Sequence, residues 1–243
     1  MIRHVKKTVL IILGVWMLGF ASFLTLASLG DARSTAIMSM TWGLILGWVV
    51  VGGLIMYRNR ERVRSYVQKI PLDWRITFVL FATMLALVEE IITVSLTNLA
   101  PLFGARVGEA YITASANYFD VVLFHSVVVF IPLFIAWAIV LSRYDFKPFA
   151  VFLLFGIMGI FAEVSLDGPQ QFLGFGQWIF VYGLMVFLPA YCLPPSRGAK
   201  PVRFWHYLVA IPLVFLIALP IIIPIVYVIA GVLQHPSIHF MSV

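Results

Sequence analysis

The chain has 243 residues, of which 63% are hydrophobic and 11% are charged, and its mean hydropathy is +1.05. An ordinary soluble domain has about 25% charged residues, so this composition excludes that class and predicts an all-α, polytopic integral membrane protein. Because Cys192 is its one cysteine, the chain cannot form an intramolecular disulfide or a cysteine-based metal cluster. Because basic residues in loops set the orientation of a membrane protein, its net charge of +6 is considered first as a topology signal.

Stretches of roughly 20 apolar residues, the length needed to cross a membrane, occur seven times. The predicted helices of this single transmembrane domain, 1–243, are 8–29, 37–57, 75–97, 118–141, 148–166, 171–193 and 204–233. The first follows a basic start, but its apolar core of about 22 residues exceeds the length of a signal-peptide core. We therefore expect it to be a retained helix. The seventh contains Pro212, Pro220 and Pro224, and we expect it to span the membrane while kinked.

Lysines and arginines are distributed unevenly between the two sides that seven spans would create. The N-terminus and the connections after the second, fourth and sixth segments hold 14 of the 16 basic residues, and the opposite side holds Arg33 and Arg106. Because cytoplasmic loops are enriched in Lys and Arg, this bias predicts a multi-pass protein of the cell membrane with its N-terminus inside and its C-terminus outside. The run RNRERVR (58–64) is interpreted as a topology signal and lipid-headgroup contact, not as a nucleic-acid site.

Two adjacent acids, Glu89 and Glu90, lie inside the third segment, where each would cost about 2.5–3.5 kcal/mol on insertion scales. Small and polar residues recur in this segment at intervals of three or four, namely Thr83, Ala86, Glu90, Thr93 and Thr97. Helical spacing places these residues on one face, with Glu89 at its edge. We expect that face to point into the bundle.

Polar residues of three further segments are predicted to lie at a similar depth, in the outer half of the bilayer. His125 lies about 10 Å below the outer end of the fourth segment, and Glu90 lies at a matching depth in the third. Glu163 is in the outer part of the fifth segment, with Asp167 one turn later, and Gln177 is in the outer part of the sixth. From this agreement we predict one polar cluster that opens toward the extracytoplasmic side.

Two carboxylates and an imidazole can bind a divalent ion, and Zn²⁺ fits mixed nitrogen and oxygen ligands best. We therefore predict that His125, Glu163 and Glu90 are metal ligands. Glu89 and Glu90 are the predicted catalytic pair, in which the glutamate that does not bind metal is the general base. The predicted supporting polar residues are Thr93, Asp167 and Gln177.

The segment VEEIITV, together with a later helix carrying His125 and another carrying ExxxD from Glu163, resembles the CAAX-prenyl-protease and bacteriocin-processing group of intramembrane metalloproteases. That group has EExxxR, FxxxH and HxxxN or HxxxD on successive helices. The resemblance covers residues 89–167 and implies a glutamate-activated water near a metal ion. The chain departs from the pattern where Val94, Val121 and Glu163 replace the expected Arg, Phe and His.

Two other classes of function are open for the same residues. Paired carboxylates beside a histidine can share and pass protons, as in a proton- or ion-coupled transporter. Buried polar groups can instead fix helix packing in a non-catalytic scaffold or assembly subunit. The expected partners are membrane lipid and a membrane-embedded or extracytoplasmic substrate. His235 and His239, in the tail HPSIH, are a secondary candidate for additional metal ligands.

Overall fold

The computed structural model describes residues 2–240, and its regular secondary structure is helical. The helices are α1 (Ile2–Ala27), α2 (Ala32–Val67), α3 (Trp74–Asn98), a short α4 (Tyr118–His125), α5 (Val127–Arg143), α6 (Pro148–Asp167), α7 (Phe175–Tyr191) and α8 (Phe204–Val232). Short 3₁₀ turns at Ala100–Phe103 and Pro169–Gly174 follow α3 and precede α7. The all-α prediction is confirmed for this part of the chain.

Six of the helical segments between residues 2 and 240 are apolar and long enough to cross a membrane, and α4 with α5 makes a seventh if that bent pair is one span. Apart from α2, their bounds lie close to the predicted ones; α3, for example, covers 74–98 where the sequence predicts 75–97. A helix needs about 20 apolar residues to cross the hydrocarbon core. The all-helical fold therefore fits a multi-pass membrane protein, and its orientation stays a prediction.

Helix α2 is longer than predicted, because it continues past the apolar segment into the basic run. Its 36 residues reach about 54 Å at the rise of an α-helix, whereas the sequence predicts a helix over 37–57 and a loop over 58–74. Arg and Glu are good helix formers, and the Arg60 guanidinium lies 4.0 Å from the centre of the Tyr57 ring. The predicted loop is thus reduced to 68–73, and all four of its arginines lie on the helix.

The fourth predicted span, 118–141, is broken at Ser126, where α4 and α5 meet at an angle of 49°. Ser126 has φ −109° and ψ −66°, which interrupts the regular helix. Asn117 caps α4, since its side-chain oxygen accepts hydrogen bonds from the backbone N–H groups of Phe119 (3.0 Å) and Asp120 (3.4 Å). The break therefore sets α4 at an angle to α5, and the cap fixes the start of α4.

Helices α6 and α7 approach each other closely because glycines line their contact. A Cβ atom added at Gly156 would lie 2.6 Å from the Cα atom of Ile179, and one at Gly159 would lie 2.1 Å from the Tyr182 ring. Small residues allow such close contacts between membrane helices, as the spacing of these glycines predicts. The contact brings the Tyr182 hydroxyl of α7 to Glu163 of α6.

At the end of the bundle predicted to face the cytoplasm, polar contacts join the α5–α6 connection to the α7–α8 connection. The Asp145 carboxylate accepts hydrogen bonds from Arg197 and Lys147, and the Asp145 N–H donates to the carbonyl of Lys200 (2.8 Å). Partial burial acts to raise the pKa of the Asp145 carboxyl, but the hydrogen bonds from Lys147 and Arg197 outweigh it and hold that pKa below its ordinary value. The ionised carboxylate therefore stabilises the fold.

Asp145→Asn should lower the free energy of unfolding at pH 7 by about 1 kcal/mol, allowing for solvent screening of these partly exposed charges. Because the folded-state pKa is below the unfolded value, the stabilisation is present above about pH 4 and is lost as the pH falls through the folded pKa. The difference in Tm between wild type and variant should therefore shrink in acid. Thermal unfolding in detergent, from pH 7 down to acid pH, measures this Tm difference. A Tm difference that does not change with pH would contradict the prediction.

Candidate functional site

Glu89 and Glu90 of α3 are both buried, with 5% of each residue exposed. The Oε2 atom of Glu90 accepts a hydrogen bond from Thr93 Oγ1 (3.0 Å), one turn further along α3. The hydroxyl groups of Thr113 and Ser126 also face this carboxylate. The polar face of α3 therefore points into the bundle, and Glu90 is surrounded by hydroxyls from α3, from the connection before α4 and from the α4–α5 break.

Glu163 of α6 lies near these two acids. Its carboxylate accepts a hydrogen bond from the Tyr182 hydroxyl, and it is close enough to Glu89 and Glu90 for the three charges to interact. Among the side chains of residues 4–240, none donates a hydrogen bond to Glu89, and no basic side chain lies within ion-pair distance of the three acids. We call Glu89, Glu90 and Glu163 the carboxylate cluster.

A second group, which we call the histidine cluster, consists of Asp120, His125, His235 and His239. His235 Nε2 lies 2.7 Å from Asp120 Oδ1, while His239 Nδ1 and His125 Nε2 lie 3.1 Å and 3.4 Å from Asp120 Oδ2. The side chains of Asp120, His125 and His235 are each 10% exposed, whereas that of His239 is 43% exposed. One largely buried carboxylate thus faces three imidazole rings.

The chain assembles this cluster by folding residues 233–240, which we call the strap, back over α4. Gln234 has φ +51°, a left-handed conformation that turns the chain after α8. The His235 N–H donates to a carbonyl in the last turn of α8 (3.0 Å), and the His239 N–H donates to the carbonyl of Ala114 (2.7 Å). The strap is therefore tied at one end to α8 and at the other to the connection between α3 and α4.

Three members of the histidine cluster could hold a metal ion. One ligand atom from each of Asp120, His125 and His235 lies within 4.8 Å of the other two. Ligand atoms of a tetrahedral zinc site are about 3.3 Å apart, given bonds of about 2.0–2.1 Å, so small side-chain shifts would bring all three onto one ion. His125 Nε2 is buried and has no hydrogen-bond partner. A buried polar atom without a partner is costly, and an ion at this point would satisfy it.

The predicted single polar cluster is two neighbouring groups in the structure. His125 is not brought together with Glu90 and Glu163 as one set of metal ligands; the set with metal-like spacing in the described chain pairs it with other members of the histidine cluster. The two groups meet at Ser126, which directly follows His125 and faces Glu90.

The predicted supporting residues lie in three different environments. Thr93 contacts Glu90 directly. Asp167 is exposed at the end of α6, although its charge is close enough to affect Glu163. Gln177 is half-buried in α7 and makes no side-chain hydrogen bond to the described residues. Of the three, Thr93 is therefore the one in direct contact with a predicted site residue.

Asp120 is the site residue that the sequence reasoning missed. It is the one carboxylate in the predicted span 118–141, five residues before His125, and this isolation is the signal that could have drawn attention to it. The strap histidines were a secondary candidate, and His235 belongs to the three-ligand set. Contacts between α4 and a segment more than 110 residues away join these residues.

Comparisons with known proteins give no relative for this chain. It matches no known protein family, no curated protein and no solved structure. The resemblance to the CAAX-prenyl-protease group stays a prediction based on the residues quoted above.

Proposed function

We propose that this protein is a membrane-embedded, metal-dependent hydrolase that holds its ion with Asp120, His125 and His235. The observation that carries the proposal is the buried Nε2 atom of His125, which faces the Asp120 carboxylate at 3.4 Å without forming a hydrogen bond. Histidine is the commonest metal ligand in proteins, and the nitrogen that is not hydrogen-bonded is the one that binds metal. Ligand atoms of Asp120 and His235 lie beside it.

The donor set favours an ion of the zinc class. Two imidazole nitrogens and one carboxylate oxygen suit Zn²⁺, and Cys192 cannot contribute because it lies after α7, at the opposite end of the bundle. Bound there, the ion would supply Lewis-acid chemistry and activate a water molecule near neutral pH. Catalytic zinc sites have three protein ligands and one open position, whereas structural sites are closed by four. A three-ligand set therefore favours catalysis over a purely structural role.

The carboxylate cluster supplies the proposed general base. Glu90 faces the hydroxyl of Ser126, the residue that follows His125, so the two clusters approach each other in space at Ser126. A general base acts on a proton within hydrogen-bond reach, directly or through one water molecule. We assign Glu90 the role of accepting the proton released during hydrolysis. Glu89, which lacks a hydrogen-bond donor among the described residues, is the second acceptor of the predicted catalytic pair.

The substrate is proposed to reach the site from the predicted outer side of the membrane. Both clusters lie toward the end of the bundle formed by the α3–α4 connection and the strap. His239 is the most exposed member of the histidine cluster, and it marks the side open to solvent. This position suits a membrane-embedded or extracytoplasmic molecule with a hydrolysable bond near the bilayer surface.

A proton- or ion-coupled transporter is the second candidate, and the carboxylate cluster is the observation that favours it. Its three acids lie on helices long enough to span the membrane, and no basic side chain in the range 4–240 pairs with them. Intramembrane carboxylates of this kind mark proton and ion pathways. In that case the flux of an ion, and not the hydrolysis of a bond, would depend on Glu90.

Metal analysis of protein purified without chelator tests the proposal. The wild type, loaded with Zn²⁺ and freed of excess ion, should hold one ion per chain, and His125→Ala should reduce this ratio toward zero. His4→Ala is the matched control, because His4 is an exposed histidine at the start of α1. Fluorogenic esters and a fluorogenic peptide library then test hydrolysis. A wild type that binds no stoichiometric ion would overturn the metal site, and a loaded protein inactive on every probe would favour the transporter.

A further inference from the structure

A cavity of about 470 Å³ lies between α2, α3 and α7, at the end of the bundle predicted to face the cytoplasm. We call it the interfacial cavity. It is lined by the end of α2, the α2–α3 connection (68–73), the first turns of α3 and residues 189–195 at the end of α7. Its volume is within the range of small-molecule sites, roughly 300–1,000 Å³. Because both clusters lie at the other end of the bundle, the proposed hydrolase site does not use this cavity.

The ends of α2 and α7 are joined beside the interfacial cavity. Pro194 and Pro195 follow α7 and have no N–H group that could continue a helix, so α7 ends at this level. The side-chain amide of Gln68 donates to the carbonyls of Cys192 (3.1 Å) and Leu193 (3.4 Å). These residues line the cavity together with the start of α3. The cavity is therefore bounded by this bridge between α2 and α7 and by α3.

The walls of the interfacial cavity are apolar both in its interior and at its mouth. Phe78 of α3 and Leu193 after α7 are buried, with 2% and 8% exposed, whereas Ile70 and Leu72 of the connection are 43% and 51% exposed. Exposure of large apolar side chains to water is unfavourable, and contact with hydrocarbon removes that cost. The lining thus offers a continuous apolar surface from the protein interior to the membrane.

Basic side chains lie around the mouth of the interfacial cavity. The Arg75 guanidinium lies 4.9 Å from the centre of the Trp74 ring, which lines the cavity, and one of its nitrogens donates to Asp73 (3.0 Å). Its other N–H groups make no hydrogen bond to residues 4–240, and Lys69, exposed between two lining residues, pairs with no acid of that range. Residues 58–75 hold six basic residues and two acids, so this region is positively charged.

We propose that the interfacial cavity binds one anionic phospholipid of the adjacent leaflet, with an acyl chain between α2 and α3 and the phosphate at Lys69 and Arg75. The apolar walls suit hydrocarbon, and the positive mouth complements a negative headgroup, as in basic pockets between membrane helices. Tryptophan and basic residues at a helix end are typical of the membrane surface, where headgroups lie. The inference requires no ion at the histidine cluster and is therefore independent of the proposed function.

Native mass spectrometry of the full-length protein, freed of lipid in detergent, tests the proposal. The wild type should retain one dioleoyl phosphatidylglycerol per chain, with an affinity about tenfold or more above that for dioleoyl phosphatidylcholine. Lys69→Gln with Arg75→Gln should weaken phosphatidylglycerol binding by about 30-fold, through the loss of two basic side chains near an anionic group. Arg33→Gln with Arg106→Gln is the matched control, because it removes the same charge from exposed residues at the other end. It should keep the wild-type affinity.

A second variant tests the position of the acyl chain. Thr77 lines the interfacial cavity and is half-buried, so Thr77→Phe adds a ring to its wall without changing any charge. It should weaken phosphatidylglycerol binding by about tenfold, the loss of roughly two buried CH₂ groups. In the wild type, dihexanoyl phosphatidylglycerol should bind about tenfold or more weakly than the dioleoyl lipid, and glycerol phosphate, which has no chain, should not compete.

Each part of the proposal has an outcome that would overturn it. Equal retention of the two dioleoyl lipids, or equal weakening by the two double substitutions, would overturn recognition of an anionic headgroup. Strong binding of the dihexanoyl lipid, or competition by glycerol phosphate, would indicate a phosphate site and overturn the assignment to a membrane lipid. Unchanged affinity in a Thr77→Phe protein with wild-type Tm would place the lipid outside the cavity. If that variant misfolds, the comparison of chain lengths in the wild type decides.

Discussion

Replacing Glu90 with glutamine should lower the hydrolytic rate by about 10²–10⁴-fold, the range typical of losing general acid–base catalysis, while one metal ion per chain is retained. The expectation follows from the surroundings of Glu90, which is buried among the hydroxyls of Thr93, Thr113 and Ser126. Glutamine keeps the size of the side chain and still accepts the hydrogen bond from Thr93, but it has no ionisable group to accept a proton. The kcat of the metal-loaded variant measures the loss of rate. Elemental analysis of the same sample measures whether one ion per chain is retained.

Glu109→Gln is the matched control for this change, because Glu109 is an exposed acid on the α3–α4 connection whose contacts are with Arg106. It should leave the rate unchanged. If Glu90→Gln instead abolishes the pH dependence of ion flux in proteoliposomes, the transporter is correct. If the variant keeps full activity and becomes more stable, the cluster has a packing role, since removing one of several adjacent buried charges relieves their repulsion.

Much of the fold follows from the sequence because the bilayer imposes a length on every spanning helix. The bounds of α3 and α6 agree with the predicted 75–97 and 148–166 to within a few residues, since polar residues mark both ends of each apolar segment. The α2 extension and the break at Ser126 depend on other forces. Helix propensity carries α2 beyond the apolar segment, and the backbone conformation of Ser126 breaks the fourth predicted span.

The candidate site could be predicted only where its residues share a helix or a depth. Periodicity places Glu90 and Thr93 on the inner face of α3, and matched depth brings Glu163 near them. The pairing of His125 depends on the strap, which crosses back from α8 to meet Asp120. Hydrophobic spacing carries no information about where a polar tail returns, so the sequence could identify His125 and His235 as candidates but not their shared contact with Asp120.

Asp120→Asn should weaken metal binding by more than the 10–100-fold that follows loss of a supporting residue, because Asp120 is both a proposed ligand and the contact shared by three histidines. His235, His239 and His125 lie 2.7, 3.1 and 3.4 Å from its two oxygens. An amide of the same shape lacks the charge that attracts a cation and, in donating through its nitrogen, turns one acceptor into a donor. Titration of Zn²⁺ against a chromophoric chelator measures the affinity.

Glu163→Gln should be measured beside Asp120→Asn, because the two variants distinguish two candidate metal sites. Glu163 is a metal ligand predicted from the sequence, whereas Asp120 is the carboxylate ligand that the geometry favours. Glu163 accepts a hydrogen bond from the Tyr182 hydroxyl and lies near the acids Glu89 and Glu90. Its replacement should leave zinc affinity near the wild-type value, since it removes no member of the proposed set. If Glu163→Gln abolishes binding while Asp120→Asn keeps it, the ion belongs to the carboxylate cluster, and the histidine cluster only ties the strap to α4.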